Sequence, residues 1–409
     1  MVSSKKVLII IESYPPILNS AGRLFSELAE SLSINGMDVV VLTEKPTRYL
    51  AEIETHTQHS DRQDSMKQRV IRLPSFPALR SVHIFRYLEQ LIKMMMYLVV
   101  GVFYGYKRDV IVYSPPLPLA LTGILIARLW RTRSIVNVQD IYPETAIALG
   151  FMKHPFLIRV GRMLEGWVYR YADHITVHSE GNKEYVVRNG AEEQKVSVVY
   201  NWIDLNKYTP GPLYNGFREK YQLQEKFIVS YAGVIGLAQG VDSLLATARE
   251  YREDDRICFV IAGGGLGYED VKKKAEKEGL DNIKFLPHLV EKEYIKLLRS
   301  SDVCLVTLLK KLTTPAVPGK LQSIMAVGRP VICSVPAVSD AKAIVEKAHC
   351  GLWIDPSEDC SLHRAIQGML NKNGELERIG RRGREYAIVH FDREKCVQEY
   401  FDLLNMHNH

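Results

Sequence analysis

The sequence lacks the cysteine pattern of a disulfide scaffold or of a structural zinc site. Its 409 residues include six cysteines, and none of them form a C-x-x-C pair. Cys304 and Cys333 fall inside apolar, strand-like runs, where a thiol behaves as a small buried hydrophobic group. Reduced thiols of this kind are typical of a cytoplasmic protein. The other four are scattered over the second half of the chain: Cys258, Cys350, Cys360 and Cys396.

No apolar run is long enough to cross a bilayer. The first run, Val7–Ile11, is too short for the core of a signal peptide, so none is expected. Residues 91–106 are the most apolar stretch, but Lys93 interrupts them early and basic residues close them. A short apolar helix with aromatic and basic neighbours fits either a buried core helix or a helix lying in a membrane surface. The candidate for membrane attachment is about residues 80–108.

Charge of one sign is not in large excess. The formal net charge is +6, and no stretch combines dense Lys and Arg with interleaved aromatics, so no nucleic-acid partner is expected. An Asp-x-Asp motif at a strand end is absent, and so is any low-complexity tract. Residues 52–68 are polar and are predicted to form a flexible loop.

What the sequence does contain is a regular alternation of apolar strand runs and amphipathic helices, which predicts an α/β protein with parallel sheets. One series begins with the strand Lys6–Glu12, and a second follows the Pro- and Gly-containing segment 208–212. We therefore predict two Rossmann-like, doubly wound domains, residues 1–203 and residues 204–389. Open parallel sheets bind ligands beyond the carboxyl ends of their strands, so the strand-end loops should carry function, in a cleft between the domains.

Three loops of the second predicted domain suit a phosphate. Residues 231–240 place three glycines after a strand, and residues 263–267 form a glycine-rich run after the next one. Residues 313–332 place Lys320 at the start of a short helix, where free N–H groups and a mobile ammonium favour an anion. Taken alone, this third segment is equally consistent with an ordinary loop–helix–strand connection.

Two loops of the first predicted domain are also candidates. Residues 12–23 bring small side chains to the start of a helix, but they do not form G-x-G-x-x-G, so a dinucleotide fingerprint is absent. A plain strand–helix turn is the alternative there. Residues 139–144 read Gln-Asp-Ile-Tyr-Pro-Glu, and their carboxylates could accept hydrogen bonds from sugar hydroxyls or act as a base. Helix capping by Asp140 or Glu144 is the alternative.

These loops, in this order, resemble glycosyltransferase family 4, and most closely its bacterial surface-polysaccharide branch with a Pro-x-Lys-Leu loop, which includes N-acetyl-fucosamine and hexosamine transferases. The resemblance spans nearly the whole chain, including residues 201–204 at the domain junction and residues 391–394 near its end. It implies the GT-B architecture, in which two Rossmann-like domains face a cleft. It also implies that a helix at about 390–409 packs back on the first domain.

The resemblance further implies a retaining transfer of a sugar from a nucleotide-sugar donor, expected to be UDP-linked, to a lipid-linked or saccharide acceptor. Such enzymes build surface polysaccharides such as O-antigen or capsule. They work in the cytoplasm, and attachment to the inner face of the plasma membrane is compatible with the stretch at 80–108. The family generally needs no protein-bound metal, and no other cofactor is expected.

The resemblance assigns roles to individual positions. The implied catalytic residues are Asp140, Glu144 and Lys320. The implied acceptor-side residues are Ser20, Arg23, Gln139 and Tyr142. The implied donor-binding residues are Gly22, Gly233, Gly236, Gln239, Gly240, Gly263, Gly265, Leu286, Pro318, Gly319, Lys320, Leu321 and Ser323.

The chain departs from the family pattern at charged positions. Many members place Arg and Lys where this chain has Val234 and Gln239, and two glutamates where it has Pro315 and Ser323. Losing a charge-assisted hydrogen bond costs about 1.5–3 kcal/mol, so weaker donor binding or a water-bridged contact would follow. These departures keep two alternatives open, namely a UDP-sugar 2-epimerase of the same architecture and a non-catalytic subunit of a transferase complex.

Overall fold

A computed structural model describes residues 5–16, 19–46, 68–75, 83–236 and 238–406. Within those ranges thirteen strands, all in parallel pairs, form two sheets that are covered by helices. The described residues divide into two compact units. The first unit consists of the described residues up to Ile147, Met152–Val199 and the described residues from Val397 onward. The second unit consists of Ala148–Phe151 and Tyr200–Cys396. The prediction of an α/β protein with doubly wound parallel sheets is confirmed.

The first unit is built on a seven-stranded sheet in the order β3-β2-β1-β4-β5-β6-β7. Its strands are β1 (Lys6–Ile10), β2 (Asp38–Glu44), β3 (Arg69–Leu73), β4 (Asp109–Ser114), β5 (Ser134–Val138), β6 (His174–Val177) and β7 (Val196–Val198). Its helices are α1 (Ser20–Ile34), α2 (His83–Tyr104), α3 (Leu117–Trp130), α4 (Glu144–Ala148), α5 (Pro155–Tyr171) and α6 (Glu180–Arg188), with a 3₁₀ turn at Glu193–Lys195.

The helices of the first unit lie on both faces of its sheet. Crossovers between parallel strands are right-handed, and β1–α1–β2 runs toward one edge while the crossovers through α2, α3 and α5 run toward the other. This places α1 on one face and α2, α3 and α5 on the opposite face, where α3 contacts both α2 and α5. Gly123 lets α3 approach the sheet closely, because a Cβ there would lie 2.8 Å from Val112.

The second unit is built on a six-stranded sheet in the order β10-β9-β8-β11-β12-β13. Its strands are β8 (Phe227–Val234), β9 (Ile257–Gly264), β10 (Ile283–Leu286), β11 (Val303–Thr307), β12 (Val331–Ser334) and β13 (Gly351–Ile354). The helices from this part of the chain are α7 (Phe217–Lys220), α8 (Asp242–Glu250), α9 (Tyr268–Lys277), α10 (Glu291–Ser300), α11 (Lys320–Ala326), α12 (Asp340–Ala348), α13 (Ser361–Asn371), α14 (Leu376–His390) and α15 (Arg393–Asn405), with a 3₁₀ turn at Asn373–Glu375.

The last helix, α15, belongs to the first unit from Val397 onward. Its end is capped by Arg133, which donates to the carbonyls of Leu403 at 2.8 Å and Met406 at 2.6 Å. A cation at a helix C-terminus satisfies free carbonyls and complements the helix dipole. Earlier in the helix, the Tyr400 hydroxyl accepts a hydrogen bond from the Asn137 amide at 2.8 Å. These contacts join α15 to the strand β5 of the first sheet.

Several local expectations need adjustment. The edge strand β3 and the short helix α4 were not predicted, and the apolar helix expected at 91–106 begins earlier, at His83, and ends at Tyr104. The loop predicted at 52–68 lies outside the described residues except for its last position.

No helix in the described ranges is long and apolar enough to span a membrane. Five cysteines are buried, but Cys360 is exposed.

Candidate active site

Lys320 begins α11, and its side chain reaches back to the end of β8. Its Nζ atom lies 3.6 Å from the centroid of the Tyr231 ring. A Cβ atom built on Gly233 would lie only 3.2 Å from this nitrogen. The residue as a whole is half-buried, but Nζ is buried and has no hydrogen-bond partner among the described residues. The ammonium group therefore sits between an aromatic ring and a glycine backbone.

This environment makes the charged form of Lys320 costly. Burial lowers the pKa of Lys320 to about 7, because a buried ammonium loses its hydration. The face of the Tyr231 ring compensates in part through a cation–π interaction. Donors of a buried polar group are normally satisfied. An anion placed against Nζ would supply the missing acceptor and raise the pKa again.

The glycines at the ends of β8 and β9 have a packing reason of their own. Gly263 has φ +148°, and a Cβ there would lie 1.9 Å from the carbonyl oxygen of Gly233. Gly265 has φ +127°, and a Cβ there would lie 2.7 Å from the carbonyl oxygen of Ile235. Both glycines therefore allow the two strand ends to touch backbone to backbone. Gly233 and Gly263 thus present backbone without side chains next to Lys320, and we call this surface the glycine floor.

The loop after β8 is held by its own side chain. The Oε1 atom of Gln239 accepts the N–H of Gly236 at 3.1 Å. Gly240 takes the left-handed conformation, with φ +61°. Val234 is exposed, so the position where many family members have Arg offers an open apolar side chain. In this loop Gln239 orders the backbone and adds no charge.

The start of α11 provides fewer free amides than the sequence predicts. The N–H of Leu321 already donates to the carbonyl of Pro318 at 3.0 Å, and the helix has only seven residues, so its dipole is small. Gly319 is exposed, whereas the Leu321 side chain is fully buried. The expected electrostatic contribution of this helix start therefore falls mainly on the Lys320 side chain.

Ser323 is buried and fully engaged. Its hydroxyl donates to the carbonyl of Lys320 at 2.8 Å, and it lies 2.7 Å from the hydroxyl of Tyr294. Since the serine proton is committed to Lys320, the Tyr294 hydroxyl is the donor of the second bond. Tyr294 was not among the sequence-based candidates, because an aromatic residue in an amphipathic helix ordinarily indicates core packing. Leu286, at the end of β10, is buried.

In the first unit, Asp140 follows β5 and belongs to a small acidic cluster. The pKa of Tyr113 is raised by burial and then by the charges of Asp140 and Glu12, which places all three groups at neighbouring strand ends. Asp140 itself keeps an exposed surface, yet burial among surrounding protein atoms raises its pKa. Glu12 and Tyr113 were missed as candidates. The signal that could have identified them is their position at carboxyl strand ends.

The other residues of the 139–144 segment have partners within the first unit. Glu144 begins α4 and accepts a 2.8 Å hydrogen bond from Arg162 of α5. The Gln139 amide donates to the Asn137 side chain at 2.9 Å. Tyr142 packs against the core of the unit. Glu144 therefore forms an ion pair on a helix start, and Asp140 is the more open carboxylate.

The loop before α1 has an ordinary helix cap. The side chain of Asn19 accepts the N–H of Gly22 at 2.7 Å, so this amide is already used. Arg23 forms an ion pair with Glu27 one turn later, at 3.2 Å, and Ser20 is exposed. Ser20 is thus the more accessible of the predicted acceptor-side residues in this loop.

The predicted site residues therefore fall into two groups, one at the strand ends of each unit. No group of three or more His, Cys, Asp or Glu side chains arranged for a metal ion occurs in the described ranges.

A cavity of about 580 Å³ lies elsewhere in the second unit, at the beginnings of β8 and β11. Its charged lining includes the ion pair of Arg218 and Asp302 at 2.6 Å, so the cavity is explained by structural ion pairs.

Family models match most of the chain. The model described as "Glycosyl transferase 4-like domain" matches residues 20–202, and the model "Glycosyl transferases group 1" matches residues 215–386. The chain is also similar over 412 aligned residues, at 23% identity, to the Escherichia coli (strain K12) protein WcaI, which is assigned to colanic acid biosynthesis as a glycosyl transferase. That alignment covers 97% of this chain and 99% of WcaI.

Solved structures share the fold over nearly the full length. Sucrose-phosphate synthase from Thermosynechococcus elongatus aligns with a TM-score of 0.78 at 18% identity, covering 98% of both chains. Anabaena HepE, solved in complex with UDP, aligns with a TM-score of 0.72 at 17% identity, covering 98% of this chain and 99% of HepE. The fold is therefore GT-B, and the enzyme class is glycosyl transfer. The chain belongs to the glycosyltransferases of family 4.

Proposed function

We propose that this enzyme transfers a sugar, with retention of anomeric configuration, from a UDP-linked donor of the hexosamine type to a lipid-linked acceptor in surface-polysaccharide synthesis. The observation that carries the proposal is the buried Lys320 ammonium without a hydrogen-bond partner among the described residues. The neighbours add support: HepE was solved with UDP, and WcaI is assigned to colanic acid biosynthesis.

In this proposal Lys320 binds the phosphates of the donor. Breaking the sugar–phosphate bond places negative charge on the departing diphosphate, and a preorganised cation in a water-poor site stabilises that charge. The glycine floor formed by Gly233 and Gly263 lets the phosphates approach the backbone closely. Because Gln239 is neutral, Lys320 carries the positive charge that other family members distribute over several side chains.

Asp140 is the proposed group on the sugar or acceptor side. Its raised pKa suits a carboxylate that accepts a proton or a hydroxyl hydrogen bond during transfer. Its charge and that of Glu12 both act on Tyr113, whose pKa they help to raise. Glu144 acts through its ion pair with Arg162, which fixes the loop that carries Asp140.

A lipid-linked acceptor requires the enzyme to work at a membrane surface. We propose attachment at the inner face of the plasma membrane, beginning with the stretch at about residues 80–108. Exposed apolar side chains of α2, among them Met95, Val99 and Phe103, support this assignment.

The test separates donor binding from transfer. Calorimetry with UDP, GDP and ADP should show binding of UDP by the wild-type protein and a loss of at least ten-fold in affinity for Lys320→Ala. Lys273→Ala, which removes an exposed lysine of α9, is the matched control. Incubation of UDP-sugars with and without a polyprenyl-linked acceptor, followed by NMR of the product anomer, tests transfer and retention. Absence of UDP binding, or an inverted anomer, would contradict the proposal.

A further inference from the structure

Three helices of the first unit form one outer layer. The helices α2, α3 and α5 cover the same face of the sheet, and α3 contacts both of its neighbours. When helices lie side by side on a sheet, their outer sides point away from it together. We call the outer side of this layer the helical face; it is defined by the exposed residues of α2, α3 and α5 and by Tyr106, Lys107 and Arg131, which follow α2 and α3.

The helical face is unusually apolar for an exposed surface. Phe103 is 77% exposed, Leu129 is 59% exposed and Trp167 is 44% exposed, and they come from three different helices. Along α2 the exposed side chains recur at helical spacing. The large apolar residues of the face are Ile92, Met95, Val99, Phe103, Tyr106, Leu125, Leu129, Phe156, Met163, Trp167 and Tyr171. A contiguous apolar surface of this kind marks an interaction site.

Within these three helices the exposed charge has a single sign, whereas α6, which the same crossover rule places on this side of the sheet beyond α5, carries the exposed Glu180 and Glu184. In α3, α5 and residues 90–104 of α2, the only carboxylate is Glu165, and it is 3% exposed. The exposed cations of these helices and of the residues that follow them are Lys107, Arg128, Arg131, Arg159, Arg162 and Arg170, of which Arg162 is paired with Glu144 of α4. The combination of apolar side chains, cations and no exposed carboxylate is complementary to anionic lipid.

Three of the exposed aromatic residues, Tyr106, Trp167 and Tyr171, have the polar ends that interfacial positions favour. The Arg128 guanidinium lies 4.7 Å from the centroid of the Tyr171 ring, which joins α3 to α5. The Tyr106 ring packs edge-on against Trp130 at 4.8 Å. Trp and Tyr are enriched where a hydrocarbon region meets lipid headgroups. Side chains suited to a bilayer surface therefore form the contacts between neighbouring helices of the layer.

We propose that the helical face docks on the surface of an anionic bilayer, with α2, α3 and α5 lying side by side at the headgroup level. This extends the attachment proposed above from residues 80–108 to two further helices, and it does not depend on the identity of the donor. A second copy of the chain fits less well, because two faces that both carry cations and no exposed carboxylate repel each other.

Flotation of the full-length protein with vesicles tests the apolar part. The protein should float with phosphatidylcholine vesicles that contain phosphatidylglycerol, and the double variant Phe103→Ser with Trp167→Ser should lower the partition coefficient about ten-fold or more, since buried hydrocarbon drives such binding. The matched control is Ile34→Ser with Val389→Ser. Ile34 is 73% exposed, but it lies on the opposite face of the same sheet, and Val389 is 58% exposed in the second unit.

A second set of variants tests the charge. The triple variant Arg131→Gln, Arg159→Gln and Arg170→Gln should bind more weakly by roughly five-fold per removed cation. Added salt should also weaken binding of the wild type. The charge-matched control is the triple variant Lys273→Gln, Lys347→Gln and Arg382→Gln, whose three positions are also exposed. Equal loss in the controls, equal binding to pure phosphatidylcholine, or no binding would overturn the proposal. So would self-association in light scattering that Phe103→Ser abolishes. Lys320→Ala should float like the wild type, which separates this test from that of the donor site.

Discussion

Lys320 carries an energetic cost that a bound phosphate would remove. Its ammonium is buried against Tyr231, and its pKa is lowered to about 7 by burial. In the unfolded chain the same group has the ordinary value of 10.5. As the pH rises above 7, the affinity for UDP should therefore fall, whereas the free energy of unfolding of the ligand-free protein should increase.

The first residue-scale prediction concerns UDP affinity. Above pH 7 the Lys320 amine is largely neutral, so binding of a diphosphate must take up a proton. The affinity for UDP should therefore fall between pH 7.5 and about 9, by up to about ten-fold per pH unit, a range in which the phosphate itself has lost its last proton. Calorimetry at pH 8 in two buffers of different ionisation enthalpy should detect uptake of close to one proton.

Lys320→Met is the control for that experiment. Without the amine, UDP binding should be weak and nearly independent of pH over the same range. If the variant keeps the pH dependence of the wild type, another group is responsible, and the assignment of the phosphate contact to Lys320 is wrong.

The second residue-scale prediction concerns stability. The folded pKa of Lys320 lies below the unfolded value, so between about pH 7 and 10.5 the unfolded chain binds more protons, and stability rises with pH. Lys320→Met should therefore stabilise the ligand-free protein below pH 7, by an amount of the order of a few kcal/mol. This advantage should shrink toward pH 10. Urea unfolding at pH 6 and pH 9 measures it, and an equal effect at both values would contradict the burial of the ammonium.

At the scale of elements, the strand ends of β8 and β9 depend on glycine for contact with each other. The parallel register sets Gly263 opposite Gly233. A side chain at Gly263 would push the two strand ends apart, whereas one at Gly233 would meet the Lys320 side chain. The sequence suggested a phosphate cradle for both glycines. The structure adds a backbone reason that does not require a ligand, because register between distant strands is not readable from a glycine run.

The element-scale prediction is Gly263→Ala. Its φ of +148° and the 1.9 Å approach of a Cβ to the Gly233 carbonyl oxygen should destabilise the second unit by about 1–3 kcal/mol. UDP binding should weaken as well, because the floor beside Lys320 shifts. Gly264→Ala is the matched control, since a Cβ there meets no atom within 4 Å. Urea denaturation of both variants measures the difference, and equal stability would contradict the packing argument.

The same scale explains which elements the sequence could predict. Central strands such as β1 and β8 are buried on both faces, so their apolar runs are continuous and easily recognised. The edge strand β3 carries Arg69 and Arg72 among its apolar residues, and an edge strand needs less apolar surface. The helix α4 has only five residues and no buried side chain, so it leaves no periodic pattern to detect.

At the scale of the whole molecule, the two-fold repetition of the Rossmann-like arrangement could be predicted, because each strand–helix series repeats the same alternation. Contacts between residues far apart in the chain could not. Neither Tyr231 under Lys320 nor Arg162 beside Glu144 follows from any local motif, and Ser323 gives no sign in the sequence that Tyr294 donates to it. The sequence thus identified the loops that carry the candidate site, while the partners inside those loops required coordinates.

The whole-molecule prediction concerns α15. From Val397 onward this helix belongs to the first unit, although the chain from Tyr200 to Cys396 belongs to the second. The buried Tyr400 hydroxyl meets Asn137 at 2.8 Å and Thr176 at 3.0 Å. Tyr400→Phe leaves these polar side chains with one partner fewer, at a cost of about 1–3 kcal/mol. Hydrogen–deuterium exchange should therefore rise in Ser134–Val138 and His174–Val177. It should remain unchanged in Phe227–Val234 of the second sheet.

Tyr214→Phe is the control for this experiment, because its hydroxyl is exposed and only makes a long hydrogen bond of 3.4 Å within the second unit. If Tyr400→Phe raised exchange equally in both sheets, the stability of the two units would be coupled more strongly than their separate cores imply. If exchange did not rise in either, the hydrogen bonds of Tyr400 would add nothing to the attachment of α15, and its apolar contacts alone, such as those of the fully buried Leu404, would hold the helix on the first sheet.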